Sequence, residues 1–141
     1  MTKYWVAVAS FEHVQKGVAG GFAQVCHGKP GPLNQMAEGD WIVYYSPTVQ
    51  FGEKKPCRKF TALGRIQPKK PYLFPMSENF IPWRRDVNFI AVNPTSIEPL
   101  IDHLSFIPNK QRWGFPFRRG CFSISFTDFQ LIASNMGYTD G

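Results

Sequence analysis

Short apolar runs, separated by proline and glycine, recur along most of the chain. Five of these runs hold the β-branched and aromatic residues typical of strands, at positions 4–9, 41–45, 60–66, 87–92 and 122–124. Each run is too short for a helix and is bounded by turn-forming residues, so the pattern predicts a strand at each position. Ser46 and Pro47 follow the second run and predict its end, because proline cannot donate a hydrogen bond to a neighbouring strand.

Helix signals are fewer and stand between the strands. Ser10 is placed to cap a short helix, and Gly17 predicts the end of that helix. Ser125 and Asp128 have the spacing of a capping box and precede apolar residues at helical spacing. Further short helical segments are predicted at residues 33–37 and from Ser96 to Leu104. The sum predicts an α+β fold, a small half-open β-barrel of about five or six short strands with a few short flanking helices.

The chain of 141 residues has the size of one domain, and we expect residues 1–141 to form a single unit. No apolar run approaches the ~18 residues that a membrane helix needs. The first residues show no signal-peptide pattern, and three cysteines without paired spacing are atypical of a secreted disulfide scaffold. These features predict a cytoplasmic protein without a membrane partner.

Motifs with known chemistry are mostly excluded by their spacing. The glycine-rich segment 17–32 cannot be a phosphate loop, because Ala23 and Pro30 replace the glycine and the hydroxyl residue that such a loop needs. The cysteines and histidines lack the paired spacing of a zinc site, so we expect no metal and no cofactor. No serine has the glycine flanks of a nucleophile elbow. Cys26 beside His27 leaves one enzymatic alternative, a small hydrolase or transferase with an activated thiol.

The charge distribution favours a polyanionic partner. The chain has a formal net charge of +6 and an aromatic content of 16%. Residues 53–119 contain thirteen of the sixteen lysines and arginines but only five of the ten acidic residues. Cations neutralise phosphates and aromatic rings stack on bases, so this composition is typical of a nucleic-acid-binding protein. A solvated basic face over an aromatic core is the alternative explanation.

Several segments together resemble the EVE domain family. They are Tyr4–Ser10, Met36 with Gly39–Asp40, Tyr44–Pro47, Gly64, Arg84–Val87, Trp113–Gly114, Phe117–Gly120 and Ile124–Phe129. Members of this family have a PUA-like β-barrel related to the YTH readers of methylated adenine in RNA. The resemblance implies a PUA-like barrel without enzymatic activity that binds modified bases in DNA, such as methylated or hydroxymethylated cytosine, after flipping the base out of the stack.

The resemblance also implies where the base pocket lies. The matching positions in this chain are Ser10, Phe22, Gln24, Val25, Cys26, Tyr45, Ser46 and Pro47. Trp83 lies in a segment that corresponds to the family's proline- and arginine-containing stretch, and Trp113 beside Arg112 suits stacking on a base. Phe22 stands where YTH readers have a tryptophan, so the resemblance does not imply a complete aromatic cage.

The cations expected to hold the phosphate backbone belong to the basic segment. They are Lys54, Lys55, Arg58, Lys59, Arg84, Arg85, Arg112, Arg118 and Arg119. The partner implied is nucleic acid, with modified DNA as the first hypothesis. An RNA-binding module linked to RNA modification is the second hypothesis, because barrels of this superfamily also bind RNA. A dependence of affinity on the 2′-hydroxyl of the sugar distinguishes the two.

Overall fold

The sheet brings together strands that are far apart in the chain. In the computed structural model, which describes residues 1–138, the strands are β1 (Tyr4–Val8), β2 (Phe22–Ala23), β3 (Trp41–Thr48), β4 (Pro56–Ile66), β5 (Tyr72–Leu73), β6 (Trp83–Ile90), β7 (Thr95–Ser96) and β8 (Cys121–Ile124). They form one mixed sheet in the order β2-β6-β4-β3-β1-β8, with β5 paired to β6 and β7 to β4. The sheet curls into a half-barrel, which confirms the predicted α+β architecture.

Three α-helices flank the sheet. They are α1 (Phe11–Gly20), α2 (Gly31–Gln35) and α3 (Phe126–Asn135), and short 3₁₀ helices cover Cys26–Gly28, Glu98–His103 and Phe115–Arg119. The predicted caps of α1 and α3 are confirmed. The Ser10 hydroxyl accepts a hydrogen bond from the His13 amide at 3.4 Å, and the Ser125 hydroxyl accepts one from the Asp128 amide at 3.1 Å. Each cap satisfies an amide that the first helical turn leaves without a partner.

The core lies on both faces of the sheet, because successive strand residues point to opposite sides. Along β3, Val43 and Tyr45 belong to one apolar cluster, while Ile42 and Tyr44 belong to the other. The first cluster is covered by α3, and the second lies beside α1 and α2. The parallel pairing of β1 with β3, in which Val6 is opposite Val43, joins the two clusters at the centre of the fold. This explains why both strands are nearly continuous apolar runs.

Several element ends differ from the predictions, among them the ends of α1 and β3. Helix α1 does not end at Gly17 but continues to Gly20, and the left-handed residue that ends it is Gly21, with φ of 73°. Gly17 is needed for packing instead, because a Cβ there would lie 2.7 Å from the Phe22 carbonyl oxygen. Strand β3 does not end at Ser46 but runs to Thr48 through Pro47. A register shift between Ser46 and Thr48 accommodates the proline, as is typical of bulges.

The Ser96 helix is also different from the prediction. The segment Glu98–His103 is a 3₁₀ helix, and the residue that precedes it is Ile97, which makes no side-chain cap. The Ser96 hydroxyl accepts a weak hydrogen bond from the Glu98 amide at 3.3 Å. Pro99 lies in the first turn, as expected, because it has no amide to satisfy there.

Two buried aspartates hold loops in place, Asp40 beside β1 and Asp128 on α3. The Asp40 carboxylate accepts hydrogen bonds from the Lys3 amide at 3.0 Å, the Trp5 indole at 3.1 Å and the Ala37 amide at 2.9 Å. The Asp128 carboxylate accepts from the Ser105 amide and hydroxyl at 2.9 and 2.7 Å and from the Phe106 amide at 3.0 Å. Asp128 therefore holds the segment after the Glu98–His103 helix and does not close the predicted capping box.

Candidate functional site

A large cleft opens where the first strand meets the first helix. We call it the central cleft; its volume is about 1040 Å³. Its walls come from the end of β1 with Ser10, the segment 26–32, the end of β3 at Pro47, and the segment 117–120. Four chain segments from distant parts of the sequence thus form one concave surface, the usual setting of a ligand site.

Four of the ten residues predicted for the base pocket line the central cleft. They are Ser10, Gln24, Cys26 and Pro47. The Ser10 hydroxyl accepts from the His13 amide and keeps its own proton for a ligand acceptor. Ser10 precedes α1, Gln24 and Cys26 follow β2, and Pro47 lies near the end of β3.

Three residues predicted for the pocket are buried in the core. Val25 belongs to the apolar cluster beside α1. The Ser46 hydroxyl is fully buried and bonds the Thr61 hydroxyl at 2.8 Å. Tyr45 stacks on Phe117 with ring centroids 4.2 Å apart, and burial raises the pKa of its phenol. None of these three side chains lines the central cleft, and Tyr45 lines a neighbouring cavity together with Trp113.

The two predicted tryptophans lie outside the central cleft. Trp83 is half-buried in β6 and packs against the apolar cluster beside α1. Trp113 contacts Tyr45 edge-on at 6.5 Å and lines a separate cavity of about 350 Å³, the Trp113 pocket. Lys54 and Arg58 line that pocket as well. Trp113 therefore lines a cavity other than the central cleft, and Trp83 lines neither of the two.

Phe22 and Arg84 form a layer behind the central cleft. The guanidinium carbon of Arg84 lies 3.7 Å from the ring centroid of Phe22 and 3.8 Å from that of Phe74. Its Nε donates a hydrogen bond to Gln24 Oε1 at 2.8 Å. Arg84 is only 8% exposed and makes these contacts within the protein, so the phosphate contact at this residue stays a prediction. Its charge orients the amide of Gln24.

Arg85 is also withdrawn from the surface. It is 5% exposed, and its guanidinium donates hydrogen bonds to the carbonyl oxygens of Leu33 at 3.0 Å, Met36 at 2.5 Å and Gln67 at 3.2 Å. These bonds tie α2 and the end of β4 to β6. Arg85 therefore stabilises the fold through these three carbonyl oxygens, and the phosphate contact named for it stays a prediction.

The orientation of the Gln24 amide follows from these contacts. Gln24 is 5% exposed, and its oxygen is taken by Arg84. Because a guanidinium can only donate hydrogen bonds, the amide atom that faces Arg84 must be the oxygen, and the amide nitrogen must point away from Arg84. That nitrogen has one weak contact, the Met76 thioether at 3.8 Å. The side chain thus has N–H donors available at the cleft.

The surface cations lie around three adjoining cavities. Arg118 and Arg119 line both the central cleft and a second cavity of about 490 Å³, which we call the Phe115 pocket. Arg112 lines the Phe115 pocket, whereas Lys55 and Lys59 are exposed beyond the three cavities. The described residues that line the three cavities include no aspartate or glutamate. Within residues 1–138 the only ion pair joins Lys16 to Glu12, so these surface arginines have no carboxylate partner.

Several cleft residues were missed by the sequence analysis. They are His13, His27, Lys29, Phe51 and Phe80. Phe51 is 81% exposed and meets the His27 ring edge-on at 6.0 Å. Lys29 could have been found as the one cation of the glycine-rich segment, whereas no local pattern distinguishes an exposed phenylalanine from a buried one.

The turn at Cys26–Gly28 shapes one wall of the cleft. Cys26, His27 and Gly28 have φ values of 48°, 59° and 84°, a left-handed conformation that costs energy at the first two residues. A Cβ at Gly28 would lie 2.4 Å from Pro82 Cβ, so glycine is required where this turn meets the segment before β6. Such local strain is concentrated at functional sites.

The Cys26–His27 pair lacks the geometry of a catalytic thiol. Burial raises the pKa of the Cys26 thiol, and its sulfur faces the Arg119 carbonyl at 3.8 Å. The His27 ring packs on Phe51 instead of contacting the sulfur. An activated nucleophile needs a lowered pKa and a base in contact, and neither is present at this thiol.

Two other features of the described residues bear on function. Residues 1–138 contain no group of three or more histidine, cysteine, aspartate or glutamate side chains placed to hold a metal ion. None of the helices in that part of the chain is long and apolar enough to cross a membrane.

Comparison with known proteins shows relatives along nearly the whole chain. The sequence model of the EVE domain matches residues 3–135. A UPF0310 protein of Mycobacterium avium (strain 104) is 46% identical over 132 residues, which cover 94% of this chain and 96% of that protein. The UPF0310 protein YdcG of Bacillus subtilis (strain 168) is 45% identical, over 96% of this chain and 93% of YdcG.

Solved structures share the fold at low sequence identity. Protein Atu2648 of Agrobacterium tumefaciens superposes with a TM-score of 0.59 and 13% identity, over 99% of this chain and 97% of that chain. Rpa0253 of Rhodopseudomonas palustris gives a TM-score of 0.58 and 16% identity, also over 99% and 97%. These likenesses concern the arrangement of strands and helices.

Proposed function

Because this chain belongs to the EVE domain family, we propose that it binds nucleic acid with a modified base turned into the central cleft and performs no chemistry on that base. The fold is the EVE/PUA-like half-barrel. The observation that carries the proposal is the combination of Gln24, a buried amide whose nitrogen makes only one weak contact, and a cleft rim of cations without carboxylates. The amide can donate hydrogen bonds to a base edge, and the cations can bind a phosphate backbone.

The polar contact to the base is assigned to Gln24. Its amide oxygen is taken by Arg84, so the side chain offers N–H donors to the cleft. A carbonyl oxygen or an unprotonated ring nitrogen is the matching group on a base edge. Cytosine has two such acceptors side by side, and the Ser10 hydroxyl is a second donor in the same cleft.

The apolar part of the cleft offsets the cost of base flipping. Phe51 and Phe80 are exposed rings on the cleft wall, and stacking on such a ring stabilises a base by about 1–3 kcal/mol. Flipping costs a few kcal/mol of lost stacking and pairing, so ring contacts and the Gln24 hydrogen bond together are of the required size.

Discrimination of the modification should be modest. Val8, Ala9 and Pro47 give the cleft an apolar side. Burial of one extra methyl group contributes about 0.8 kcal/mol, which is roughly a fourfold preference in affinity. The larger share of the affinity comes from phosphate contacts and falls as salt rises.

The test compares duplexes that differ in one cytosine, unmodified, methylated or hydroxymethylated, over a series of salt concentrations. We expect tighter binding of one modified duplex, with the preference independent of salt. Gln24→Ala should weaken binding of all three duplexes and leave the salt dependence unchanged, while the control Gln130→Ala, at an exposed position on α3, should change neither the affinity nor the salt dependence. Equal affinity of the wild-type protein for all three duplexes would refute the reader function and leave a general polyanion binder. Tighter binding of the matching RNA would support the second hypothesis.

A further inference from the structure

The Phe115 pocket adjoins the central cleft and shares a wall with it. Arg118 and Arg119 line both cavities. The floor of the Phe115 pocket is apolar, formed by Phe106 and Pro108, and Arg112 stands at its edge. Nothing in the proposed contacts of a flipped base uses this second cavity.

Phe115 is an exposed ring in a segment that buries its neighbour. Within the 3₁₀ helix Phe115–Arg119, Phe117 is 7% exposed and stacks on Tyr45, whereas Phe115 is 60% exposed. The Arg118 guanidinium lies over the Phe115 ring at 5.5 Å. An exposed ring beside a cation is the arrangement that stacks a base next to its phosphate.

The walls of the Phe115 pocket are held in place before any ligand binds. Asp128 accepts hydrogen bonds from Ser105 and from the Phe106 amide. The Asn109 side chain accepts from the Gln111 and Arg112 amides at 3.1 and 3.2 Å. Lys110 donates to the carbonyl oxygens of Leu104 and Ile107 at 3.0 and 2.6 Å. The loop is therefore preformed, which lowers the entropy cost of binding.

We propose that the Phe115 pocket is a second nucleotide subsite, which takes the base next to the flipped one in the same strand. Its base stacks on Phe115, and the phosphate that joins the two nucleotides lies at the shared wall of Arg118 and Arg119. The inference rests on the proposed function, because it assigns the first base to the central cleft. The protein then recognises two adjacent nucleotides of one strand, the flipped base and one neighbouring base that is also unstacked.

The experiment measures binding of a single-stranded oligonucleotide with one modified cytosine and an abasic site on its 5′ or its 3′ side. Loss of the neighbouring base on one side only should weaken binding to the wild-type protein by about five- to hundredfold. Phe115→Ala should weaken binding of the intact oligonucleotide by a similar factor and remove its advantage over the abasic one. Phe115→Tyr should restore that advantage.

Phe126→Ala is the matched control, because Phe126 is 52% exposed but lines neither the central cleft nor the Phe115 pocket. It should bind both oligonucleotides as the wild-type protein does. Equal binding of intact and abasic oligonucleotides by the wild-type protein would overturn the subsite, as would an advantage that persists in Phe115→Ala. The two proposals can fail separately. The reader function is tested by the difference in affinity between modified and plain cytosine, whereas the subsite is tested by the difference in affinity between oligonucleotides with and without the neighbouring base.

Discussion

Replacement of Arg84 by methionine tests the layer behind the central cleft. Arg84→Met keeps a long side chain between the Phe22 and Phe74 rings but removes the charge and the hydrogen bond to Gln24. A hydrogen bond to a charged group contributes about 1.5–3 kcal/mol, and each cation–π contact about 0.5–2 kcal/mol. Contacts between the methionine sulfur and the two rings return about 0.3–1.5 kcal/mol each. We therefore expect the free energy of unfolding to fall by about 2–4 kcal/mol.

Urea denaturation followed by tryptophan fluorescence measures this loss. The control is Arg112→Met, at an exposed arginine, which should change the free energy of unfolding by less than about 0.5 kcal/mol. A loss below that size for Arg84→Met would refute the assignment of Arg84 to a buried, orienting contact.

The same variant has a predicted effect on binding. Without Arg84 the Gln24 amide is free to rotate, so its donors no longer face the base consistently. Arg84→Met should weaken binding of the duplexes as Gln24→Ala does, and the double variant should be no worse than Gln24→Ala alone. Additive losses would show that Arg84 contacts the nucleic acid directly, which the burial of its side chain argues against.

Further predictions concern stability, pH and the thiol. Asp40→Asn should lower the free energy of unfolding by about 1–3 kcal/mol, because an amide cannot accept all three of the hydrogen bonds that this carboxylate receives; an unchanged denaturation midpoint would contradict this. Burial lowers the pKa of His13, so below about pH 6.5 the unfolded chain binds more protons and the free energy of unfolding falls as pH falls. His13→Gln should remove that part of the pH dependence, and an unaltered profile would show that another group causes it. The alkylation rate of Cys26 in a Cys57→Ser/Cys121→Ser background should rise only above the pH at which an ordinary thiol ionises, and a midpoint near pH 6 would restore the thiol-enzyme hypothesis.

The barrel could be predicted from the sequence because its strands are marked by local patterns. Apolar runs bounded by glycine and proline located five strands, and Ser10 and Ser125 located two helix starts. The strands β2, β5 and β7 have two residues each and were missed, since so short a run carries no period. Their existence depends on pairing with β6 and β4, which only the folded chain determines.

The candidate site could be predicted only in outline. Ser10, Gln24, Cys26 and Pro47 were named from the resemblance, and all four line the central cleft. Ser46 and Arg85 could not be assigned from the sequence, since a hydroxyl or a guanidinium normally marks the surface. Both are buried here with protein hydrogen-bond partners, Thr61 for the hydroxyl and backbone carbonyls for the guanidinium. Burial of this kind depends on tertiary contacts.

The most direct measurement of the central claim is the NMR signal of the Gln24 side-chain amide during titration with an oligonucleotide that carries one modified cytosine. If the base enters the central cleft, this NH₂ resonance should shift on binding, and the shift should be smaller with an abasic site in place of the modified cytosine. The resonance of the exposed Gln130 side chain should stay unchanged. Shifts confined to Arg112, Arg118 and Arg119, with the Gln24 signal unmoved at saturation, would contradict the account and show that the protein binds the backbone alone.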